Sequence, residues 1–232
     1  NTLRIDGDVG DVVNAGSGWS LMTDLVDGGQ TYARYGKGGA VLEIDADVTR
    51  TNTTWNNIQL ADLDGSNGFR LDGVEAGDQL GYSVSDAGDL NGDGYDDVII
   101  GAFGYSNDTG KAYVYMGGPD GLNTTVHWNL TGENEDDQFG NSVSCVGDTN
   151  GDGYSDVIIG AYDYENGKQA EGSAFVYQGS AAGLSTTEVW TVESDQGWAH
   201  LGCSVATADD VNGDGYSDVI VGAYSFDNDQ ID

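Results

Sequence analysis

Basic residues are scarce in this chain: 7 Lys and Arg stand against 40 Asp and Glu, a formal net charge of −33 over 232 residues. A field of that sign repels nucleic acid and anionic lipid, and it suits a soluble protein that works among cations. Direct DNA binding is excluded on charge alone. Histidine occurs twice, as His127 and His200. Each falls at a repeat position filled by another residue elsewhere, so both are read as structural strand residues, and no Ser/His/Asp constellation can be assembled. Cysteine also occurs twice. Cys145 and Cys203 form neither a CxxC pair nor a disulfide framework, and they are expected to be small buried hydrophobes at non-equivalent positions. No apolar run approaches the length of a membrane span, and no signal-peptide pattern opens the chain. It begins NTLRIDGD without an initiator Met, which suggests a mature or excised piece of something longer.

Glycine, by contrast, is abundant at 38 residues, with 1 proline, 10% aromatics and 38% apolar residues. That composition belongs to a turn-rich globular β protein with enough length for a real core, not to a disordered chain. An internal repeat fixes the architecture. DLNGDGYDDVIIGA begins at Asp89, DTNGDGYSDVIIGA at Asp148 and DVNGDGYSDVIVGA at Asp210, a period of about 60 residues. Ahead of these lie QLGYSV (79–84), QFGNSV (138–143) and HLGCSV (200–205). Behind the first two lie KAYVYMG and SAFVYQG, then GLNTTVHW and GLSTTEVW, which put Trp128 and Trp190 in register, with Phe69 at the matching place before QLGYSV. Each stretch is rich in Val, Ile, Tyr, Trp and Thr and bounded by Gly, Asn and Asp, as strands are. Four antiparallel strands per period make one propeller blade, a unit that buries its faces only against neighbouring blades.

The fold expected is therefore all-β: a partial β-propeller of four-stranded blades over residues 51–232, about two and a half repeats with the last cut short, preceded by a small β module or cap over residues 1–50. Such a piece cannot close a ring by itself.

The repeated loop places oxygen-bearing side chains at positions 1, 3, 5 and 9 and a glycine for the sharp turn at position 6. In the first copy these are Asp89, Asn91, Asp93 and Asp97, with the backbone carbonyl of Tyr95 at position 7 directed inward. The second copy offers Asp148, Asn150, Asp152, Tyr154 and Asp156; the third offers Asp210, Asn212, Asp214, Tyr216 and Asp218. Hard oxygen donors alternating around a turn are what Ca²⁺ requires, and Mg²⁺, with its strict octahedron, fits less well. Three calcium sites are expected. An EF-hand or dockerin would share the front half of the loop, but an EF-hand needs flanking helices and a bidentate Glu at position 12. Here position 12 is Ile100, Ile159 or Val221, so the loop runs into a buried strand instead.

The pattern FG-x-SV, then D-x-NGDGY-x-D, then VIIGA resembles the FG-GAP repeat of integrin α-subunit β-propellers and of related bacterial and eukaryotic extracellular proteins. The likeness covers about residues 68–223. It implies calcium loops on one face of a propeller, between the first and second strands of each blade. The chain departs from the pattern where QLG and HLG replace QFG and where Phe103, Tyr162 and Tyr224 stand in place of the usual proline. None of these changes touches a metal donor. Residues 1–50 resemble, more faintly, β modules beside such blades in large bacterial surface proteins.

Other features read as structure. GYSNDTGKA (104–112) has the wrong spacing for a phosphate loop and is a hairpin; DLDGSNG (62–68) is a turn; Trp128, Trp190 and Phe69 are blade packing and not a sugar platform. Asn52, Asn107, Asn123 and Asn129 begin N-x-[ST] triplets that could carry glycans in a eukaryotic secretory protein. The function expected is that of an extracellular, secreted or cell-surface adhesion or ligand-binding module, with a protein or glycan partner and no catalysis. Two alternatives stand beside it: a self-associating subunit of a surface filament or array, and the accessory propeller of a larger hydrolase.

Overall fold

The computed structural model describes residues 70–227 throughout and, within the first fifty residues, the backbone of seven strands. Residues 51–69, with Asn52, Phe69 and the DLDGSNG turn, lie outside the described residues. The chain divides into two compact units, Asn1–Arg70 and Leu71–Asp232.

In the first unit β1 (Thr2–Ile5), β6 (Ala40–Asp45), β5 (Gln30–Lys37) and β3 (Ser20–Leu21) form a sheet in that order, and β4 (Leu25–Asp27) also pairs with β5. β5 and β6 are a hairpin closed at Lys37↔Ala40. β2 (Val12–Val13) pairs with β7 (Thr49–Arg50).

The second unit is a stack of blades. Blade 1 contains β8 (Ser83–Gly88), β9 (Asp97–Ala102), β10 (Lys111–Tyr115) and β11 (Trp128–Thr131), each antiparallel to the one before. Blade 2 repeats this with β12 (Phe139–Gly147), β13 (Asp156–Ala161), β14 (Ser173–Tyr177) and β15 (Trp190–Glu193). Blade 3 shows its first two strands, β16 (Leu201–Asp209) and β17 (Asp218–Ala223). The expected four-stranded antiparallel blades are thus present.

Burial explains why the second strand of each blade lacks the alternation of a half-buried strand. In DVIIGA of β13 every residue is buried, because a blade lies against each face and both faces must be apolar. Ile99, Ile158 and Ile159 are fully inaccessible, each worth about 1.5–3 kcal/mol of burial. The core runs across blade boundaries. Ile99, Ala112 and Val114 of blade 1 cluster with Val143, Ile159 and Phe175 of blade 2, and Ile158, Ala174 and Val176 of blade 2 cluster with Val205 of blade 3.

Glycines set the spacing of the stack. A Cβ on Gly101 would lie 1.9 Å from the carbonyl oxygen of Gly140, and one on Gly160 would lie 2.0 Å from that of Gly202. The backbones of successive blades touch there, leaving no room for a side chain.

Blade-to-blade hydrogen bonds repeat as well. Val143 N–H donates to Ser83 Oγ and Val205 N–H to Ser142 Oγ, both at 3.0 Å. Ser155 N–H donates to the Asp89 carbonyl and Ser217 N–H to the Asp148 carbonyl, both at 3.1 Å.

Some expectations need correction. His127 and His200 are not in strands; each directly precedes one, β11 and β16 respectively. Cys145 and Cys203 are free and half-buried, not buried; the Cys203 thiol donates to the Gly222 carbonyl at 3.3 Å. Trp128 is buried and meets Tyr177 edge-on at 5.8 Å, whereas Trp190 is 42% exposed. GYSNDTGKA does form the β9–β10 hairpin, around a turn in which Ser106, Asn107 and Asp108 have positive φ.

Candidate metal centre

Each acidic loop connects the first strand of a blade to the second, and its opening Asp organises it. Asp89 Oδ1 accepts from the N–H groups of Gly92 and Asp93 at 2.7 and 3.0 Å, and its Oδ2 accepts from Gly94 at 2.8 Å. Asp148 and Asp210 do the same for Gly151, Asp152 and Gly153 and for Gly213, Asp214 and Gly215. Gly94 supports this wrap at φ +90, a conformation closed to most side chains. Burial is the largest single influence on the Asp148 carboxyl and pushes it up, but four backbone donors together outweigh it and hold the group below its ordinary value. Asp210 is held down chiefly by the Gly215 N–H.

The middle donors sit together at the exposed edge of the loop. Asn91 Nδ2 donates to Asp93 Oδ2 at 3.0 Å, Asn91 Oδ1 accepts from Asp93 N–H at 2.9 Å, and Asp93 Oδ1 accepts from Tyr95 N–H at 3.0 Å. The second and third loops keep the N–H contacts, at Asn150–Asp152–Tyr154 and Asn212–Asp214–Tyr216.

Position 9 behaves differently. Asp97 is fully inaccessible. Its Oδ2 accepts from Leu90 N–H at 3.0 Å and its Oδ1 from Gly117 N–H at 2.9 Å. Asp156, also fully buried, accepts from Thr149 N–H at 2.9 Å, from the Thr149 hydroxyl, and from Gly179 N–H at 3.0 Å. Both carboxylates therefore clamp the loop to the end of the third strand. Burial raises both above the usual carboxylate range, and neighbouring carboxylates, Asp93 and Asp89 in the first loop and Asp152 in the second, push the same way. In blade 3 Asp218 keeps the loop contact, with Val211 N–H at 3.0 Å, and its other oxygen takes the Asn212 amide at 3.3 Å.

Among the described residues, no group of three or more His, Cys, Asp or Glu side chains is drawn together as around an ion. The chemistry of the donors nevertheless suits a hard cation. Each loop offers three carboxylates, an amide oxygen and a backbone carbonyl, and in the first loop Asp93 and Asp89 are close enough to Asp97 to add to the rise in its proton affinity that burial causes.

The same arrangement of FG, acidic loop and VIIGA matches a family model described as "FG-GAP repeat" over residues 81–115, 139–177 and 202–231, in register with the three blades. These are FG-GAP repeats. The chain is 35% identical over 171 residues to integrin alpha-5 of Xenopus laevis, an overlap covering 68% of this chain and 16% of that protein. It is 31% identical over 205 residues to integrin alpha-IIb of Mus musculus, covering 80% and 20%. It is also 34% identical over 158 residues to phosphatidylinositol-glycan-specific phospholipase D of Bos taurus, covering 62% and 18%. The chain thus spans a fifth or less of the length of these relatives.

The FG-GAP blades place a second feature at the opposite ends of their first two strands. Tyr82, Phe103, Tyr162 and Tyr224, with Gln138, Asn141 and Cys203, line a cleft of about 370 Å³. His200 stacks on Tyr224 at 4.8 Å and its Nδ1 lies 3.0 Å from Asp163 Oδ1. Sequence reading recorded Phe103, Tyr162 and Tyr224 only as departures from the proline of the motif; their identical repeat position was the available signal. Of the glycan triplets, Asn123 and Asn129 are exposed, and the exposed Asn107 donates its amide to Glu135 at 3.1 Å.

Also missed were the buried carboxylates that precede FG. Asp78 accepts from the N–H groups of Val74, Glu75 and Leu80; Asp137 accepts from Asn134 N–H and Nδ2. The recurring DQ-[LF]-G was the signal. Burial raises the Asp137 carboxyl above its ordinary value. A folded-state pKa above the unfolded one means stability that is present below the unfolded value and lost as pH rises through the folded one. With chelator present, the wild-type chain is therefore expected to lose stability relative to Asp137→Asn as pH is raised from strongly acidic to neutral. Paired urea titrations across that range would show it; a pH-independent difference would contradict it.

Proposed function

We propose that this chain is part of an extracellular, calcium-stabilised β-propeller that acts as an adhesion-type, ligand-binding module. One observation carries the reading: an oxygen-rich loop of the same design recurs at the same strand junction in all three FG-GAP blades. The ions would be held by the side chains of Asp89, Asn91, Asp93 and Asp97 and the Tyr95 carbonyl, by Asp148, Asn150, Asp152, Asp156 and the Tyr154 carbonyl, and by Asp210, Asn212, Asp214, Asp218 and the Tyr216 carbonyl. Bound calcium supplies positive charge that neutralises carboxylates which otherwise repel. Millimolar calcium outside the cell suits sites of this kind. The similarity to integrin α chains supports a protein or glycan partner, and the aromatic cleft between the blades is the surface suited to receive it. Among the described residues no helix is long and apolar enough to cross a membrane.

Calorimetric titration tests the metal reading. Three calcium ions per chain are expected, falling to two in Asp152→Ala, with little heat from magnesium. Absence of calcium binding would overturn the proposal.

The likeness to the phospholipase D favours a second reading, in which these blades are the non-catalytic companion of a hydrolase whose chemistry lies in other sequence.

A further inference from the structure

A cavity of about 150 Å³ lies between blades 1 and 2, apart from the aromatic cleft, and Phe139, Tyr164, Phe175 and Tyr177 of blade 2 supply most of its wall. Their rings stand at steep angles to one another. Phe139 meets Phe175 at 5.8 Å and Tyr177 at 6.4 Å, and Tyr164 meets Phe175 edge-on at 5.6 Å. Leu130 of β11 adds the blade 1 side. The aromatic wall is particular to this junction, because Leu80 and Leu201 stand where the other repeats would need Phe139.

Three carboxylates line the same cavity, and no Lys or Arg does. Asp137 is engaged by the N–H and Nδ2 of Asn134. Glu133 and Glu188 are exposed at the rim, and neither has a hydrogen-bond or ion-pair partner among the described residues. The Tyr177 hydroxyl is in the same condition: the residue lines the cavity, is only 3% exposed, and makes no hydrogen bond among the described residues. A buried hydroxyl left without a partner is costly, so the cavity favours an occupant that supplies one. Burial raises the Tyr177 phenol above its ordinary value, and Glu188 and Glu133 push the same way. Both carboxylates therefore lie within electrostatic reach of that oxygen. Aromatic rings, an unused hydroxyl and two unused carboxylates converge on one hollow, and each attracts a positive charge that carries N–H groups.

We propose that this cavity binds a small primary alkylammonium ion, with its alkyl chain against the Phe139 and Phe175 rings and its N–H groups donating to the Tyr177 hydroxyl and the carboxylates of Glu133 and Glu188. The size agrees, since an apolar cavity of this volume accepts a group about as large as benzene. An anion is repelled by the rim, and a neutral alcohol leaves both carboxylates uncompensated. The site depends on neither the acidic loops nor the adhesion reading.

The test is an NMR titration of the whole chain in millimolar calcium with butylammonium, and with butan-1-ol and butyrate as its neutral and anionic matches. Butylammonium should move the ring signals of Phe139, Phe175 and Tyr177 along saturable curves, and neither match should. Glu133→Gln combined with Glu188→Gln should weaken binding roughly tenfold, as the loss of two exposed ion pairs does. Asp120→Asn, at an exposed carboxylate that does not line the cavity, should leave it unchanged. Tyr177→Phe keeps the ring and removes the unpartnered hydroxyl, so its melt without amine should be no lower than wild type while its affinity falls roughly tenfold. Butan-1-ol binding as well as butylammonium would reduce the cavity to an apolar hollow and overturn the proposal. Equal losses in Asp120→Asn and the double variant would overturn it too, as the mark of diffuse attraction to the net charge. So would undiminished affinity in Tyr177→Phe, or displacement of the amine by added calcium, which would give the carboxylates to a metal instead.

Discussion

Chelating calcium is expected to lower the melting temperature of this chain more than any single substitution. An ion that binds only the folded state stabilises it by about 2.7 kcal/mol at a hundredfold excess over its dissociation constant, so three filled loops would together supply about 8 kcal/mol. That rivals the whole stability of a typical domain, about 5–15 kcal/mol. At 2–4 °C per kcal/mol for a chain of this size, the transition should fall by roughly 15–30 °C. Magnesium should restore little of the loss, because it dehydrates reluctantly and demands stricter geometry. Thermal melts with calcium, magnesium and chelator make the measurement. Coincident melts in calcium and chelator would leave the loops as acidic turns, wrapped by the bonds of Asp89, Asp148 and Asp210 alone.

The second large effect is expected at Gly160. Its alanine variant brings a methyl to 2.0 Å from the Gly202 carbonyl oxygen, and the obstacle is backbone of the next blade, not the end of a flexible side chain. Relief requires blades 2 and 3 to part, uncovering Ile158, Val176 and Val205. The cost should reach the upper end of overpacking, about 3 kcal/mol, or a fall of about 6–12 °C in Tm. Gly222→Ala is the internal control. It occupies the same place in its repeat but has ordinary contact distance around it, so its melt should match wild type. Equal melts for the two variants would mean that the blades do not approach as closely as described.

The strands and blades were legible in the sequence because the repeat supplied the same evidence three times. DVIIGA and its copies are too apolar for a surface strand, which told of packing on both faces. The wrapped acidic loop was legible because alternating Asp, Asn and Asp around a glycine is a local pattern. The inward turn of Asp97 was not, because its second partner, the N–H of Gly117, lies 20 residues on in another hairpin. Nothing at position 9 distinguishes a carboxylate that faces an ion from one that clamps a strand end. The positive φ of Gln79, Gln138 and His200, at 55, 56 and 55, was hidden for another reason. A positive φ is uncommon outside glycine, more so for Gln than for His, and no local sequence pattern announced it. His200 was read as a strand residue on repeat position alone, and this local reversal is what keeps it out of β16.

The Asp97 and Asp156 clamps have a mechanical consequence. Each fastens the loop after the first strand to the terminus of the third, so pulling on the outer hairpin of a blade also loads its acidic loop. Under tension applied through the chain ends, blades 1 and 2 should each yield as a single event, not strand by strand.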